Sequence, residues 1–455
     1  MSNESNNIKF RPTRDPIWGD IDISEDFREI VDSQPIQRLR YIKHGGLTFL
    51  SLPSANHSRF EHTLGTYHLI KILKEKLGMS DGLVHFALLH HIDDPPFSYA
   101  THEVIQNILK KKWNKNYPKK NKEFIENLIA NIPYFKDKKD VRCKLADVLI
   151  TYKEYKKPLP SESEGPLIQF MDKKPVTQYY REHPLLFITS VIDSECRNSH
   201  YMGIGKPQGI EMLLNFIKEE DKGQAFYNNL LVDKVLREIR FYAFINAVYH
   251  ASVDQSRLIA RLLSRILFSI YESKSHNKVW WYGNEIQLIE VLTDARKFLD
   301  FNDFVLLQII DDLIDKKENI KNTNIYKYIE FYISAVNGTY KVFELKQEQF
   351  DASIMRIFTD IKYDDIIKIE REISKELKIS TIIIDPVFRS ISQGFLLSDM
   401  PLNTTYDEIE FSREINDIDE IHPELQKIKI FTLKEVSEEA LKNAFSEVLS
   451  RWGSE

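Results

Sequence analysis

Ser58-Arg59-Phe60-Glu61-His62-Thr63-Leu64-Gly65 opens a stretch that runs to Leu77, and Leu88-Leu89-His90-His91-Ile92-Asp93-Asp94-Pro95-Pro96-Phe97-Ser98-Tyr99 closes the next one. In the first, Phe60, Leu64, Tyr67, Ile70, Ile72 and Leu73 recur at helical spacing until Gly78 stops the run. In the second, Leu83–His91 is a strongly apolar helix that ends where Asp93-Asp94-Pro95-Pro96 turns the chain. His62, His90, His91, Asp93 and Asp94 thus fall within 33 residues, with the histidines near helix ends. Imidazole nitrogens and carboxylate oxygens brought together by packed helices are ligands for a divalent metal.

The rest of the chain is suited to holding such a cluster. Its 455 residues allow two or three domains or one large helical core with appendages, and 42% hydrophobic and 29% charged residues with only 15 glycines favour a mostly α-helical globular protein. A net charge of −6 lacks the overall footprint of a non-specific nucleic-acid binder. Lys110–Lys122, with seven lysines, is the local exception, read as a solvated insertion or a patch facing phosphate or nucleic acid. Two cysteines, Cys143 and Cys196, are too few for a disulfide framework or a thiolate zinc site and fit a reducing cytoplasm. The N-terminus lacks the pattern of a signal peptide, and no apolar run reaches the roughly 18–20 residues of a membrane span, so a cytoplasmic location is expected. Phosphate loops of the G-x-x-x-x-G-K-[ST] and G-x-G-x-x-G kinds and a G-x-S-x-G serine are missing, which argues against kinase, dinucleotide and α/β-hydrolase chemistry.

Along the chain, residues 1–14 read as a flexible arm and Asp15–Ile23 as a short hairpin. Ser24 is a candidate helix cap, Ile36–Lys43 a helix ending at Gly45-Gly46, and Thr48–Pro53 an extended piece. Tyr152–Pro175 reads as a loop and Val232–Ile270 as long helix. The main core is expected over residues 15–325. A smaller α+β C-terminal lobe follows over 326–455, with β-rich pieces at Tyr328–Val336, Thr381–Ile384 and Ile428–Phe431 and an amphipathic helix over Leu433–Trp452.

Four segments in order, Asp15-Pro16-Ile17-Trp18-Gly19, Gln37-Arg38-Leu39-Arg40-Tyr41-Ile42-Lys43, Arg59–Gly65 and Leu88–Tyr99, resemble the HD-domain phosphohydrolases, and among them the deoxynucleoside triphosphate triphosphohydrolases. The resemblance implies an HD-domain helical core around a divalent metal (Mn, Mg, Fe or Zn) held by an H…HD…D set. It also implies hydrolysis of a dNTP to deoxynucleoside and triphosphate, and homo-oligomers. Carried over, His62 and His90 are metal ligands, His91 replaces the HD aspartate, and Asp94 and Tyr99 replace two auxiliary histidines. Asp193–Gly203 aligns without gaps to the segment that supplies the last ligand, on a register that puts the metal aspartate at Ser190. His62, His90, His91 and Asp193 are expected to hold the metal, Asp193 taking the last place through a local shift; the alternative is that the fourth ligand is missing.

For substrate, Arg59 lies one helical turn from His62 on the same side and matches a phosphate-binding arginine. Arg240 matches a second phosphate-binding arginine, Tyr249 a base- or sugar-stacking aromatic, and His44 a glutamine near the sugar 3′-hydroxyl. Asp94 is the candidate proton relay. Val191, Ser194 and Asn198 replace further contact residues. The rival reading is a catalytically inactive HD-domain protein that binds nucleotide or a partner as sensor or scaffold.

Overall fold

A computed structural model describes residues 13–77, 81–154, 176–205, 252–346, 361–387 and 427–452, with the isolated positions Asn246, Tyr249, His250 and Phe358. The chain is mostly helical, with three small antiparallel sheets among the described residues. Strands β1 (Thr13–Asp15) and β2 (Gly19–Ile21) form the expected hairpin, with Gly19 at φ 78°. Thr13 and Arg14, assigned to the arm from sequence, belong to this hairpin; residues 1–12 lie outside the described residues.

Helices α1 (Glu25–Val31) and α2 (Gln34–Gln37) lead into a 3₁₀ turn at Arg38–Tyr41. Thr48–Leu50, expected as extended, is another 3₁₀ turn, closed by Leu50 N–H to the Leu47 carbonyl. Helix α3 (Arg59–Leu77) starts on a reciprocal capping box: the Ser58 N–H and hydroxyl donate to Glu61 Oε2 at 2.6 and 2.8 Å, and the Glu61 N–H donates to Ser58 Oγ at 3.3 Å. That cap fixes where the first turn begins, and so which way Arg59 and His62 point.

α4 (Asp81–Leu89), α5 (Tyr99–Trp113), α6 (Tyr117–Ala130), α7 (Lys139–Glu154) and α8 (Val176–Tyr201) follow. The lysine run is the end of α5, a 3₁₀ turn and the start of α6, and several of its lysines are paired: Lys111 with Asp364, Lys120 with Glu123, Lys122 with Asp147. α3 packs against α4 and α8, so the three histidine-bearing and serine-bearing segments face one another.

α9 (Asp254–Glu272) is the central helix of the second half and packs on α5 and on α13 (Asn324–Val336). Between them lie the hairpin β3 (Lys278–Trp281) and β4 (Asn284–Gln287), then α10 (Leu288–Thr293), α11 (Ala295–Asp300) and α12 (Asp303–Asp315). α13 corrects the expected strand over Tyr328–Val336. Its aromatic and β-branched residues suggest strand by propensity, but Ile325, Tyr328, Ile329, Phe331 and Ala335 form one buried helical face, and Thr323 Oγ1 caps the start by accepting the Tyr326 N–H at 3.1 Å. The expected boundary at residue 325 therefore falls inside a helix.

The remaining strands, β5 (Lys341–Lys346), β6 (Ile382–Pro386) and β7 (Lys427–Thr432), form an antiparallel sheet with β7 central. α14 (Tyr363–Glu376) and α15 (Glu438–Trp452) cover it, burying Ile366, Ile369, Ile373, Leu441, Phe445 and Val448 against Ile382, Ile384, Ile428 and Ile430. Two of the three expected strand positions are thus strands. No helix among the described residues is long and apolar enough to cross a membrane.

Candidate metal centre

His62 in α3, and His90 and His91 just past α4, converge as the sequence predicts. Each offers a nitrogen, and these atoms lie within 4.8 Å of one another. All three side chains are buried. The other nitrogen of each ring faces an acceptor. His62 Nδ1 is 2.7 Å from Asp193 Oδ2, His90 Nδ1 is 2.7 Å from the Ala87 carbonyl, and His91 Nδ1 is 3.0 Å from Asp94 Oδ2. Hydrogen bonds from Nδ1 fix this tautomer for His62 and His90 and leave Nε2 as the lone-pair atom, the arrangement found behind metal-ligating histidines; the His91 Nδ1–Asp94 contact lacks hydrogen-bond geometry, and there the Arg59 N–H facing Nε2 sets the same tautomer. Burial pushes the His62 and His91 rings below the ordinary imidazole range, against the pull of Asp193 and Asp94, so the neutral, ligating form is favoured.

Asp193 stands one layer behind the ligand group. Its Oδ2 takes His62 Nδ1 and Arg197 Nε (3.0 Å), while Oδ1 takes Arg197 Nη2 (2.8 Å) and the Trp18 indole N–H (2.5 Å). Burial alone would raise this carboxyl, but Arg197 and the His62 hydrogen bond hold it well below the usual carboxylate range. Arg197 is itself anchored 2.9 Å from Asp15. The position on the inner face belongs to Ser190, one turn earlier on α8: its Oγ lies 3.3 Å from His62 Nε2 and 3.5 Å from His90 Nε2. Asp193, expected as the fourth ligand, is not among the converging donors, and Ser190, where the gap-free register placed the family's aspartate, faces them instead.

This arrangement needs Gly65. A Cβ there would lie 1.7 Å from Asp193 Oδ1, so only glycine lets α3 approach the Asp193–Arg197 pair.

Arg59 and Asp94 flank the third histidine. Arg59 Nε is 3.0 Å from Asp94 Oδ2 and donates to Ser98 Oγ at 2.8 Å; Nη1 is 3.3 Å from His91 Nε2. The turn that carries Asp94 and Ser98 is strained, with Phe97 and Ser98 at φ 53° and 52°. It is held by Asp303, whose two oxygens accept the Phe97 N–H at 2.5 Å and the Lys43 N–H at 2.8 Å; burial lifts that carboxyl to about 7. Arg38 reaches the same turn, donating to the Asp94 carbonyl at 2.7 Å. Tyr99 is directed away and donates to the Gly45 carbonyl at 2.9 Å.

His44 lies beside the cluster, its ring 4.4 Å from that of His62 and its Nε2 3.0 Å from Ser194 Oγ. His57, which the motif reading passed over, lies behind it with ring centroids 5.1 Å apart, stacked on Tyr201 and bonded to Asn198 Oδ1 at 2.9 Å. Burial, reinforced by Arg197, lowers His57 to about 3. Its adjacency to the Ser58 capping box was the available signal. Tyr249 is largely exposed, and Arg240 lies outside the described residues.

A mostly helical protein with three converging buried histidines, two of them backed by carboxylates, is a candidate metalloprotein. No known family model matches the chain. Stretches of it are similar to curated proteins. An uncharacterized protein of Methanocaldococcus jannaschii, MJ1154, is 50% identical over 88 residues, 19% of this chain and 20% of that one. The deoxynucleoside triphosphate triphosphohydrolase SAMHD1 homolog of Dictyostelium discoideum is 33% identical over 97 residues, 19% of each chain. Human deoxynucleoside triphosphate triphosphohydrolase SAMHD1 is 44% identical over 64 residues, 14% of this chain and 10% of the human one. The similarity spans about a fifth or less of the length of these relatives.

Proposed function

We propose that the chain is a metal-dependent phosphohydrolase with an HD-type helical core, acting on deoxynucleoside triphosphates. The observation that carries this reading is the set of three buried, converging histidines, two of them oriented by hydrogen bonds from Nδ1, beside the Arg59–Asp94 pair. The partial similarity to triphosphohydrolases supplies the substrate class.

His62, His90 and His91 would hold the cation, and Asp193 would orient His62. A bound divalent ion supplies charge neutralisation at the phosphate and a more acidic bound water. Water adds at the α-phosphorus and the bond to the 5′-oxygen breaks, giving deoxynucleoside and triphosphate. Arg59 neutralises phosphate charge by exchanging its Ser98 and Asp94 contacts for phosphate oxygens. Asp94, freed of that ion pair, takes the proton from water and returns it to the departing 5′-oxygen. His44 faces the sugar, and Arg240 and Tyr249 complete the substrate contacts.

The test is release of triphosphate from each dNTP by the full chain with Mn²⁺, Fe²⁺, Zn²⁺ or Mg²⁺, compared with Arg59→Ala. Activity that falls on the order of 10²-fold or more in the variant supports the reading; no triphosphate release from any dNTP with any of these metals, with nucleotides also added as activators, contradicts it. A second reading, a nucleotide-binding sensor or scaffold without turnover, is favoured by one feature: no carboxylate belongs to the ligand group among the described residues. Nucleotide binding without hydrolysis would select it.

A further inference from the structure

We propose that His62, His90 and His91 form a charge-neutral tris-imidazole centre that takes a cation of the Zn²⁺, Fe²⁺ or Co²⁺ class and rejects Mg²⁺ and Ca²⁺, with Ser190 keeping its fourth position neutral and open. The inference rests on reading the cluster as a metal centre and deepens it by naming the class of metal; it does not depend on phosphate hydrolysis.

Four observations carry it. The converging donors are three imidazole nitrogens, and both nearby carboxylates are committed elsewhere: Asp193 to His62 Nδ1, Arg197 and Trp18, and Asp94 to His91 Nδ1 and Arg59. Imidazole suits zinc, iron and cobalt, whereas Mg²⁺ and Ca²⁺ require oxygen donors and Mg²⁺ near-ideal octahedral geometry. The residue between two of the Nε2 atoms is a serine, whose hydroxyl adds no charge and, at 3.3 and 3.5 Å, already sits within hydrogen-bond reach of both. Finally, a cation already stands on the third lone pair, since Arg59 Nη1 is 3.3 Å from His91 Nε2. The cluster is thus arranged to receive positive charge without supplying negative charge. A divalent ion held by three neutral ligands keeps its full charge for the fourth position, which favours an anionic oxygen there, hydroxide or phosphate.

The experiment uses the full chain, stripped by a chelator, titrated with Co²⁺ and followed by visible absorption, then challenged with Zn²⁺ or with Mg²⁺. The expected result is one Co²⁺ per chain with the intense bands of a four-coordinate site, displaced by Zn²⁺ and unmoved by a large excess of Mg²⁺. His90→Ala is expected to abolish the bands. Because loss of a buried histidine can also cost the fold, Ser190→Asp is the second variant: adding a carboxylate at the open position is expected to strengthen Mn²⁺ and Mg²⁺ binding about tenfold or more relative to Co²⁺. Displacement of Co²⁺ by comparable Mg²⁺, a folded wild type that binds no Co²⁺, or unchanged selectivity in Ser190→Asp would overturn the inference. A chain that binds Co²⁺ as expected but releases no triphosphate upholds the centre and sinks only the phosphohydrolase reading. Hydrolysis driven by Mg²⁺ alone does the reverse.

Discussion

Two buried polar clusters lie in this molecule, and they are built on opposite rules. Around the histidines, the carboxylates stand in a second layer and three ring nitrogens converge. Where α9 meets the C-terminal lobe, every charge meets an opposite one. Arg257 and Arg261 both bind Asp385 of β6, Arg265 pairs with Glu370 of α14 at 2.8 Å, and Lys429 pairs with Asp254. At the lobe junction the charges pair with one another, although Arg265 Nη1 makes no hydrogen bond, whereas the inner nitrogens of the histidines meet a serine hydroxyl and the Arg59 guanidinium rather than a carboxylate. A buried polar group that is fully paired holds a fold in place, whereas one with spare capacity points to something it has yet to bind.

Breaking the junction should give the largest loss of stability. Glu370→Ala leaves Arg265, itself buried, without this counter-charge and should cost about 3–5 kcal/mol in urea denaturation while leaving metal affinity unchanged. Gly65→Ala should do the converse on a smaller scale. Displacing the Asp193–Arg197 pair costs about 1–3 kcal/mol and also weakens metal binding, because His62 loses its orienting carboxylate. If either variant shifted stability and metal affinity together in the other's pattern, the contrast between the two regions would be lost. Asp193→Asn is the finer cut, expected to reduce metal affinity by about 10–100-fold in a titration.

Acid should separate the regions without mutation. His57, behind the cluster, is lowered to about 3, mainly by burial, so it is a base with its folded pKa below the unfolded value of about 6.5. The unfolded chain then binds more protons, and stability falls as pH drops from about 6.5 toward that folded value. For Asp385, burial is outweighed by Arg257 and Arg261, and its carboxyl is held well below the usual range. Its contribution is complete above an unfolded value of about 4 and fades only below it. Urea midpoints measured from pH 7 to pH 3 should show an early decline in the histidine window, partly offset by Asp303, whose carboxyl, lifted to about 7, takes up its proton in the folded state first. His57→Gln should flatten that early decline and leave the later one; a variant curve that parallels the wild type would remove the distinction.

Much of the candidate site was legible in the sequence because its three converging histidines come from two short segments with fixed spacing. His62, His90 and His91 needed only helix periodicity and the turn at Pro95 to be brought together. The exchange between Ser190 and Asp193 was not decidable from spacing. Three residues apart on α8, they share a face, and only the approach of α3 at Gly65 determines which meets Nε2 and which Nδ1. The mostly helical fold followed from composition, yet α13 defeated propensity because its apolar residues are aromatic and branched. The junction was invisible: Arg257, Arg261 and Arg265 recur every fourth residue like a solvated helix face, and their partners Glu370 and Asp385 lie more than 100 residues away.

Anomalous diffraction from crystals of the chain grown with Zn²⁺ or Co²⁺ tests the central claim most directly. The account predicts one strong peak about 2.0–2.1 Å from Nε2 of His62, His90 and His91, with Asp193 remaining on His62 Nδ1. Well-ordered histidines with no peak between them, or a peak bound to Asp193 or other carboxylates, would contradict it.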